Sequence, residues 1–396
     1  MIERRVGYSF HSALIDCGTC YGVLLFDERT RRLETVHADA VVVATGGQNA
    51  LFGKTTGSTQ CDGYTAGTLF RQGALLKNLE FIQYHPTTLE TAQKRMLVSE
   101  AARGEGGRLF YVEDGKRVYF MEDKYGPHGN LMTRDVVSRE MYAIGKDVYL
   151  DVSFLGRDVI DERLPEVRDL CKKYRGIDIA VEPIPVVPSI HFFMGGLAVR
   201  LNHETSIRNL FAIGECASMY HGANRLGGNS LLAAIHSGHV AAEEIVQRDG
   251  VARHPSFDAM LRDQQALLEQ KMESNSTYPV MYVRDALAKT MQSNLGIVRD
   301  GKSMRNGLAD IDYDLSVADR IRYDGSVSPY LNYSLVSILV AARATMACAL
   351  SRKESRGAHY RSDYPQTNNA LAHATLVSFD DGAYRVWLDE EDTYES

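Results

Sequence analysis

Cysteine is scarce in this chain and follows no pattern. The six residues, Cys17, Cys20, Cys61, Cys171, Cys216 and Cys348, are scattered over 396 positions, as expected of reduced intracellular thiols and not of a disulfide framework. Cys17-Gly18-Thr19-Cys20 has CxxC spacing but no second pair to support redox or metal work. It reads as two cysteines in a turn between strands, and no metal site is read elsewhere. Basic runs are missing and the net charge is −7, which argues against nucleic acid and an anionic membrane as main partners. Long uncharged apolar runs are missing as well. The longest, Leu335 to Leu350, carries Arg343 and reads as a buried or amphipathic helix, not a direct membrane span. Met1-Ile2-Glu3-Arg4-Arg5 leads into no apolar region, so no secretory or twin-arginine leader is read there. Neither internal repeats nor low-complexity tracts occur.

What is present is enough apolar content, 44%, to bury a large core spread over two or three domains. Gly22 to Phe26 and Leu33 to His37 read as a strand and its return, joined by the polar turn Asp27 to Arg31. Ala40-Val41-Val42-Val43-Ala44 is a continuous β-branched run, the pattern of a parallel strand buried on both faces. It ends in Thr45-Gly46-Gly47, where small residues let a ligand lie against the strand end. Asp62 is placed either to cap the helix running to Gly73 or to order a dinucleotide-binding loop.

From Phe81 to Thr88 a strand is expected to end in a polar turn containing His85 and Pro86. Glu100 and Arg103, three apart, share a face if their segment is helical. Arg134 stands in the first turn of a predicted helix, where a cation opposes the macrodipole; Asp135 is the simplest compensation. Arg163 to Tyr174 reads as a charged amphipathic helix, and Pro183, Pro185 and Pro188 as a crossing between domains. Ile190 to Leu197 is a strand carrying His191 and the pair Gly195-Gly196. Past Ala241 the pattern is helical, over Ser256 to Met272, Val280 to Ser293, Ser303 to Leu315 and Ser334 to Leu350. Leu371 to Trp387 then alternates like an edge strand pair.

The chain is organised around His221-Gly222-Ala223-Asn224-Arg225-Leu226-Gly227-Gly228-Asn229-Ser230-Leu231. A buried strand, Leu210 to Gly214, precedes it, followed by Glu215-Cys216, and a helix opens at Asn229 or Ser230. Glycines permit close backbone approach, the helix start offers unpaired N–H groups to an anion, and Arg225 has the planar fork that suits a carboxylate. One turn is thus suited to a cofactor at its end and a carboxylate substrate at its middle.

Six segments taken together resemble the flavoprotein subunits of succinate dehydrogenase and fumarate reductase. They are Ala44-Thr45-Gly46-Gly47, Gln83-Tyr84-His85-Pro86-Thr87, Ser99 to Gly107, Arg134 to Arg139, His191 to Gly196, and His221 to Ser230. Lys353-Glu354-Ser355-Arg356-Gly357-Ala358-His359 is similar to the family's late helical-domain signature. The resemblance implies an α/β fold: a partial FAD-binding Rossmann-like domain with an inserted α+β capping domain, then a C-terminal helical domain. The expected divisions are 1–77 and 189–247 for FAD binding, 78–188 for the cap, and 248–396 for the helical part. Hydride exchange at flavin N5 is implied, with Arg134 moving the proton and Glu100 and Arg103 relaying it. His85, Ser99, His191 and Arg225 match positions that grip the dicarboxylate. Thr45, Gly46, Gly47, Asp62, Glu215, Ser230 and Leu231 fall on FAD positions. An iron–sulfur electron-transfer subunit, and a peripheral place at the inner face of the cell membrane for an otherwise cytoplasmic protein, are implied in the same way.

One departure stands out: no Gly-x-Gly-x-x-Gly turn for the ADP half of FAD precedes Ala44. The expectation is a chain lacking the family's N-terminal ADP-binding segment, with the strand at Val41 short of sheet neighbours and FAD bound weakly or not at all by this chain alone. L-aspartate oxidase shares most of these motifs and is the relative to exclude. A non-catalytic remnant or assembly module is the third reading.

Overall fold

The computed structural model describes residues 6–250, 255–273, 279–321, 328–391 and 393–394; Met1 to Arg5, where no leader is read, lie outside them. The chain divides into two compact units, one of residues 1–53, 60–82 and 193–396, the other of residues 54–59 and 83–192.

In the larger unit, strands Tyr8–Asp16, Thr19–Asp27 and Arg32–His37 form an antiparallel meander. Cys17 and Gly18 make its first turn, both at positive φ, the geometry of two-residue hairpin turns. All six cysteines are free. A five-stranded sheet runs in the order Ala217–Ser218, Gly196–Ala198, Leu76–Lys77, Thr375–Asp380 and Ala383–Leu388. The expected strand pair at the end of the chain is therefore the outer hairpin of this sheet. Strand Leu210–Ala212 pairs in parallel with Val41–Val43.

That last pair corrects the reading of Val41 to Val43 as buried on both faces. Only Val43 is buried, and Val42 is 43% exposed, because among the described residues Leu210–Ala212 is its one pairing partner. Two-sided burial needs elements packed on both faces, and a β-branched run does not report whether they are there. A related exposure runs along helix Asn229–Val246, where Leu231, Leu232 and Ile235 are each about two-thirds exposed.

Helix Leu335–Ser351 is buried along most of its length. Arg343 reaches its rim to pair with Asp312 at 2.5 Å. It packs on helix Tyr64–Arg71 at Gly67, where a Cβ would collide with the Ser337 carbonyl oxygen. Just beyond the helix end, Arg352 is buried and spends its whole donor fork inside the protein. Nε donates to Glu80 Oε1 at 2.6 Å and Nη1 to Glu354 Oε1 at 2.9 Å and Leu371 O at 2.8 Å. Nη2 donates to His373 O at 2.8 Å and Thr375 Oγ1 at 2.7 Å. A planar five-donor cation fits such a job and an ammonium does not.

The smaller unit is a six-stranded sheet in the order Arg95–Leu97, Ile82–Glu90, Ile184–Phe193, Val148–Asp151, Arg108–Glu113 and Lys116–Val118. Its core includes Leu89, Val98, Leu109, Val137, Leu150 and Ile184. The strand expected to end in a polar turn by Thr88 instead continues to Glu90. Pro86 is tolerated inside it because strand Arg95–Leu97 pairs only with Thr88 to Glu90, so no ladder bond on that side is lost at residue 86. Pro185 and Pro188 likewise lie within strand Ile184–Phe193 and not in a crossing. The helix expected from Arg163 starts at Pro165, which occupies the first turn, where its missing N–H costs nothing; Arg163 closes the helix before it.

Candidate functional site

The smaller unit gathers one group of the expected residues. Arg134 is the first residue of helix Arg134–Ile144, and its charge is met by Glu100, not by Asp135. Its Nη2 donates to Glu100 Oε2 at 2.8 Å, and Nη1 donates to Gln83 Oε1 at 2.9 Å. Asp135 instead pairs with Arg139 one turn on, at 3.0 Å. Glu100 immediately precedes the short helix Ala101–Gly104, and its Oε1 accepts from Arg103 Nη2 at 2.6 Å. Arg103 is 1% exposed and also donates to Asn130 O at 2.6 Å. The sequence expectation that Glu100 and Arg103 share a face is met. The result is a chain of three charged groups, guanidinium, carboxylate, guanidinium, with the middle one bridging.

Burial acts on Glu100 and Arg103. Burial alone would raise the Glu100 carboxyl, but Arg134 and Arg103 outweigh it and hold it below its ordinary value. Burial pulls Arg103 below its ordinary value, with Arg134 adding to the effect and Glu100 opposing it. Beside this chain, His85 is buried and its ring centroid lies 5.2 Å from that of His191. Burial, then His191, Arg134 and Arg103, push His85 well below the usual imidazole range, so it is neutral near pH 7. His85 Nδ1 lies 3.1 Å from the Thr87 carbonyl oxygen and 3.3 Å from its nitrogen, so either tautomer has a partner. The tautomer that accepts at Nδ1 presents Nε2–H as a donor. His191 Nδ1 sits 2.9 Å from the Thr56 hydroxyl. Ser99 Oγ accepts from Ala101 N at 3.3 Å, which orients the hydroxyl at the start of the Arg103 helix.

Gln83 and Thr56 were not among the expected site residues. For Gln83 a signal existed: in a strand, residues two apart share a face, so the strand that presents His85 presents Gln83 too. Thr56 lies 135 positions from His191 and gives no such signal.

The larger unit gathers a second group around a cavity of about 260 Å³ lined by Thr45, Gly46, Gly47, Asp62 and Glu215, among others. Gly47 is required there, because a Cβ would collide with Glu215 Oε1. Glu215 accepts from the Phe193 N–H at 2.9 Å. Burial pushes its carboxyl up, against the pull of that bond and of Arg225. Asp62 lies just before Gly63, which caps the helix. Asp62 lines the cavity, and it accepts from Tyr64 N at 3.1 Å, Tyr330 Oη at 3.0 Å and Arg284 Nη1 at 3.3 Å. The wall also holds Gln48, whose buried Oε1 has no hydrogen-bond partner among the described residues. An orphaned acceptor costs free energy until a donor arrives, and a flavin side chain is rich in hydroxyl donors. The cavity is smaller than the roughly 300–1,000 Å³ usual for ligand pockets, so it suits one part of FAD. The residues present fit the group.

Arg225, Ser230 and Leu231 do not line that cavity. Arg225 is buried in its own turn, whereas Leu231 is 68% exposed in the first turn of its helix. The late signature holds the turn in place. Ala358 N donates to Ala223 O at 2.9 Å, and Gly357, at φ +53°, leaves no room for a Cβ against Ala223.

Four histidines lie far below their ordinary value. Burial and neighbouring cations hold His85 and His359 well below 6.5, and lower His11 and His221 to about 4. Unfolded imidazoles take up protons near pH 6.5, so between about pH 6.5 and 4 the unfolded chain binds more protons than the fold. Stability is therefore complete above that window and falls as pH drops through it. Urea midpoints at about pH 7.5 and about pH 5 check this; equal midpoints would show that these rings charge within the fold.

Residues 7–231 match the family profile described as FAD binding domain, so the fold is that of a flavoprotein. Residues 284–393 match the profile described as fumarate reductase flavoprotein C-term. The succinate dehydrogenase flavoprotein subunit of Bacillus subtilis is 34% identical over 93% of this chain and 67% of its own length. The fumarate reductase flavoprotein subunit of Haemophilus influenzae is 36% identical over 97% of this chain and 69% of its own. The solved E. coli quinol fumarate reductase superposes with a TM-score of 0.82 at 30% identity, covering 96% of this chain and 70% of that one. The chain belongs to the family of succinate dehydrogenase and fumarate reductase flavoprotein subunits, and is an FAD-dependent oxidoreductase. Among the described residues no helix is long and apolar enough to cross a membrane.

Proposed function

We propose that the FAD-loaded protein interconverts fumarate and succinate. The observation that carries the reading is the chain Arg134–Glu100–Arg103, buried at one end and bridged throughout by hydrogen bonds of 2.6–2.8 Å. FAD supplies a hydride acceptor and donor at N5 when bound. The protein's own part is to hold the dicarboxylate and move a proton. Neutral His85, His191, the Ser99 hydroxyl and Arg225 bind its two carboxylates. Arg134, at the start of its helix and fixed by Glu100 and Gln83, carries the proton at the carbon next to the one that exchanges hydride. Guanidinium is a weak acid, with a pKa above about 12, so the step requires prompt reprotonation. Glu100 and Arg103 provide it as a relay, and Glu100, still 41% exposed at its side chain, is the member nearest to solvent. Thr45, Gly46, Gly47, Asp62 and Glu215 hold FAD, with Ser230 and Leu231 at the helix start stabilising negative charge on the reduced ring. An iron–sulfur partner subunit would exchange electrons with the bound FAD.

L-aspartate oxidase is the competing activity within the same chemistry. Anaerobic mixing of the FAD-loaded protein with succinate or with L-aspartate, followed at the flavin band near about 450 nm, separates the two. Bleaching by succinate and none by L-aspartate is the expected result; the reverse would reassign the substrate.

A further inference from the structure

The cavity that holds Asp62 and Glu215 also carries a thiol. Cys61 immediately precedes Asp62 and lines the cavity together with Thr45, Gly46 and Gly47. Its Sγ donates to Thr45 O at 3.6 Å, and a Cβ placed on Gly46 would stand 3.0 Å from that sulfur. The thiol is thus held over the glycine turn at the end of strand Val41–Val43. Gln48, on the same wall, is 3% exposed, and its Oε1 has no hydrogen-bond partner among the described residues. A buried acceptor left open beside the thiol marks space that a ligand with donors fills.

The other five cysteines differ. Cys20, Cys171, Cys216 and Cys348 are buried, Cys17 is exposed in its hairpin turn, and Cys61 is partly exposed. Cys216 lines the cavity as well, but burial pushes its thiol up to about 11, which leaves little nucleophilic thiolate near neutral pH. Cys61 is the one cysteine that combines access with a place on the cavity wall.

We propose that Cys61 is a thiol-modification site through which a small disulfide blocks FAD loading, and that bound FAD shields it in turn. This rests on the reading that the cavity holds part of FAD. The Cys61 thiolate attacks one sulfur of the disulfide. A new S–S bond forms, the old one breaks, and the departing thiolate takes up a proton in place of the one that Cys61 released. The disulfide is reduced by the same two electrons that Cys61 gives up, so no further oxidant is required. The added group occupies part of about 260 Å³, a space already small for a ligand pocket, so it and FAD exclude each other. The carboxyl groups of Asp62 and Glu215 on the same wall favour a neutral reagent over an anionic one.

The probe is bis(2-hydroxyethyl) disulfide, a neutral reagent, applied to the reduced protein at about pH 8, near the ordinary thiol value. Peptide mass spectrometry reads each cysteine, and quenching of flavin fluorescence reads FAD uptake. With FAD at about ten times its Kd, about one molecule in ten is FAD-free. Modification of Cys61 should then slow about 10-fold, while that of Cys17 does not change. Protein modified beforehand should show no quenching at that FAD concentration, and dithiothreitol, which reduces the mixed disulfide, should restore it. Cys17→Ser should keep this sensitivity to the disulfide, and Cys61→Ser should lose it. Equal FAD uptake before and after modification of Cys61 overturns the proposal, as does a rate at Cys61 that bound FAD leaves unchanged. Unmodified protein that takes up no FAD overturns the assignment of the cavity to FAD, and the proposal with it.

Discussion

Arg134→Lys lowers kcat for fumarate reduction by roughly 10²- to 10⁴-fold, the range of a lost proton-transfer group, with a far smaller change in KM. Arg134 makes a fork: Nη2 and Nε face the two oxygens of Glu100 at 2.8 and 3.4 Å, and Nη1 reaches Gln83 at 2.9 Å. A lysine ammonium is one point of charge on a flexible stem, and it cannot hold both partners in plane. The charge survives, so binding of an anionic substrate survives with it. What is lost is the placement of the proton, and that appears only in the transition state. An effect confined to kcat is its signature. A large rise in KM with unchanged kcat would make Arg134 a substrate-binding group instead. Unfolding curves of the variant show whether the loss is chemical or structural, since Arg134 supports Glu100 as well.

Arg352→Met destabilises the fold by about 3–5 kcal/mol, the cost of removing one partner from a buried ion pair. Arg352 and Glu80 are both fully buried at their side chains. Among the described residues Glu80 Oε1 otherwise keeps only Thr375 Oγ1, at 2.6 Å, and Glu80 Oε2 has no partner. Taking the guanidinium away leaves a carboxylate in the core and removes a donor from the carbonyls of Leu371 and His373. Methionine fills most of the volume, so the loss reports charge and hydrogen bonding more than a cavity. Adding Glu80→Gln to the same chain should recover part of it, because the buried charge is then gone. Urea denaturation of both variants reads this directly. A loss below about 1 kcal/mol, the ceiling typical of a surface pair, would mean that water reaches the cluster.

The two groups of candidate residues differed in how visible they were in the sequence. Glu100 and Arg103 are three apart and bond to each other, so local spacing was enough. Arg134 looked misplaced at a helix start, and that misfit was itself the clue; its true partner, 34 positions away, was supplied by the resemblance and not by spacing. Asp62 shows where local reading stops. Its contact to Tyr64 is two positions on, but Tyr330 and Arg284 are 268 and 222 positions away, and nothing near Asp62 points to them. The run Val41 to Val43 identified a strand correctly, yet β-branched residues fit any pleated surface and could not say that Val42 would be 43% exposed. At His85 the proline beside it suggested a turn. Pairing with the neighbouring strand, which begins only at Thr88, decided otherwise. Helix Leu335–Ser351 was legible for the opposite reason: its one charge, Arg343, sits where the buried helix meets its rim.

The most direct test is turnover of the protein assayed with FAD in excess, since weak binding of FAD is the expectation for this chain. A chemically reduced viologen dye serves as electron donor and fumarate as acceptor, with succinate measured as product. Saturable formation of succinate, one molecule for each two dye electrons consumed, and its loss in Arg134→Lys, is the expected result. Protein that binds FAD, yet forms no succinate from fumarate, would contradict it.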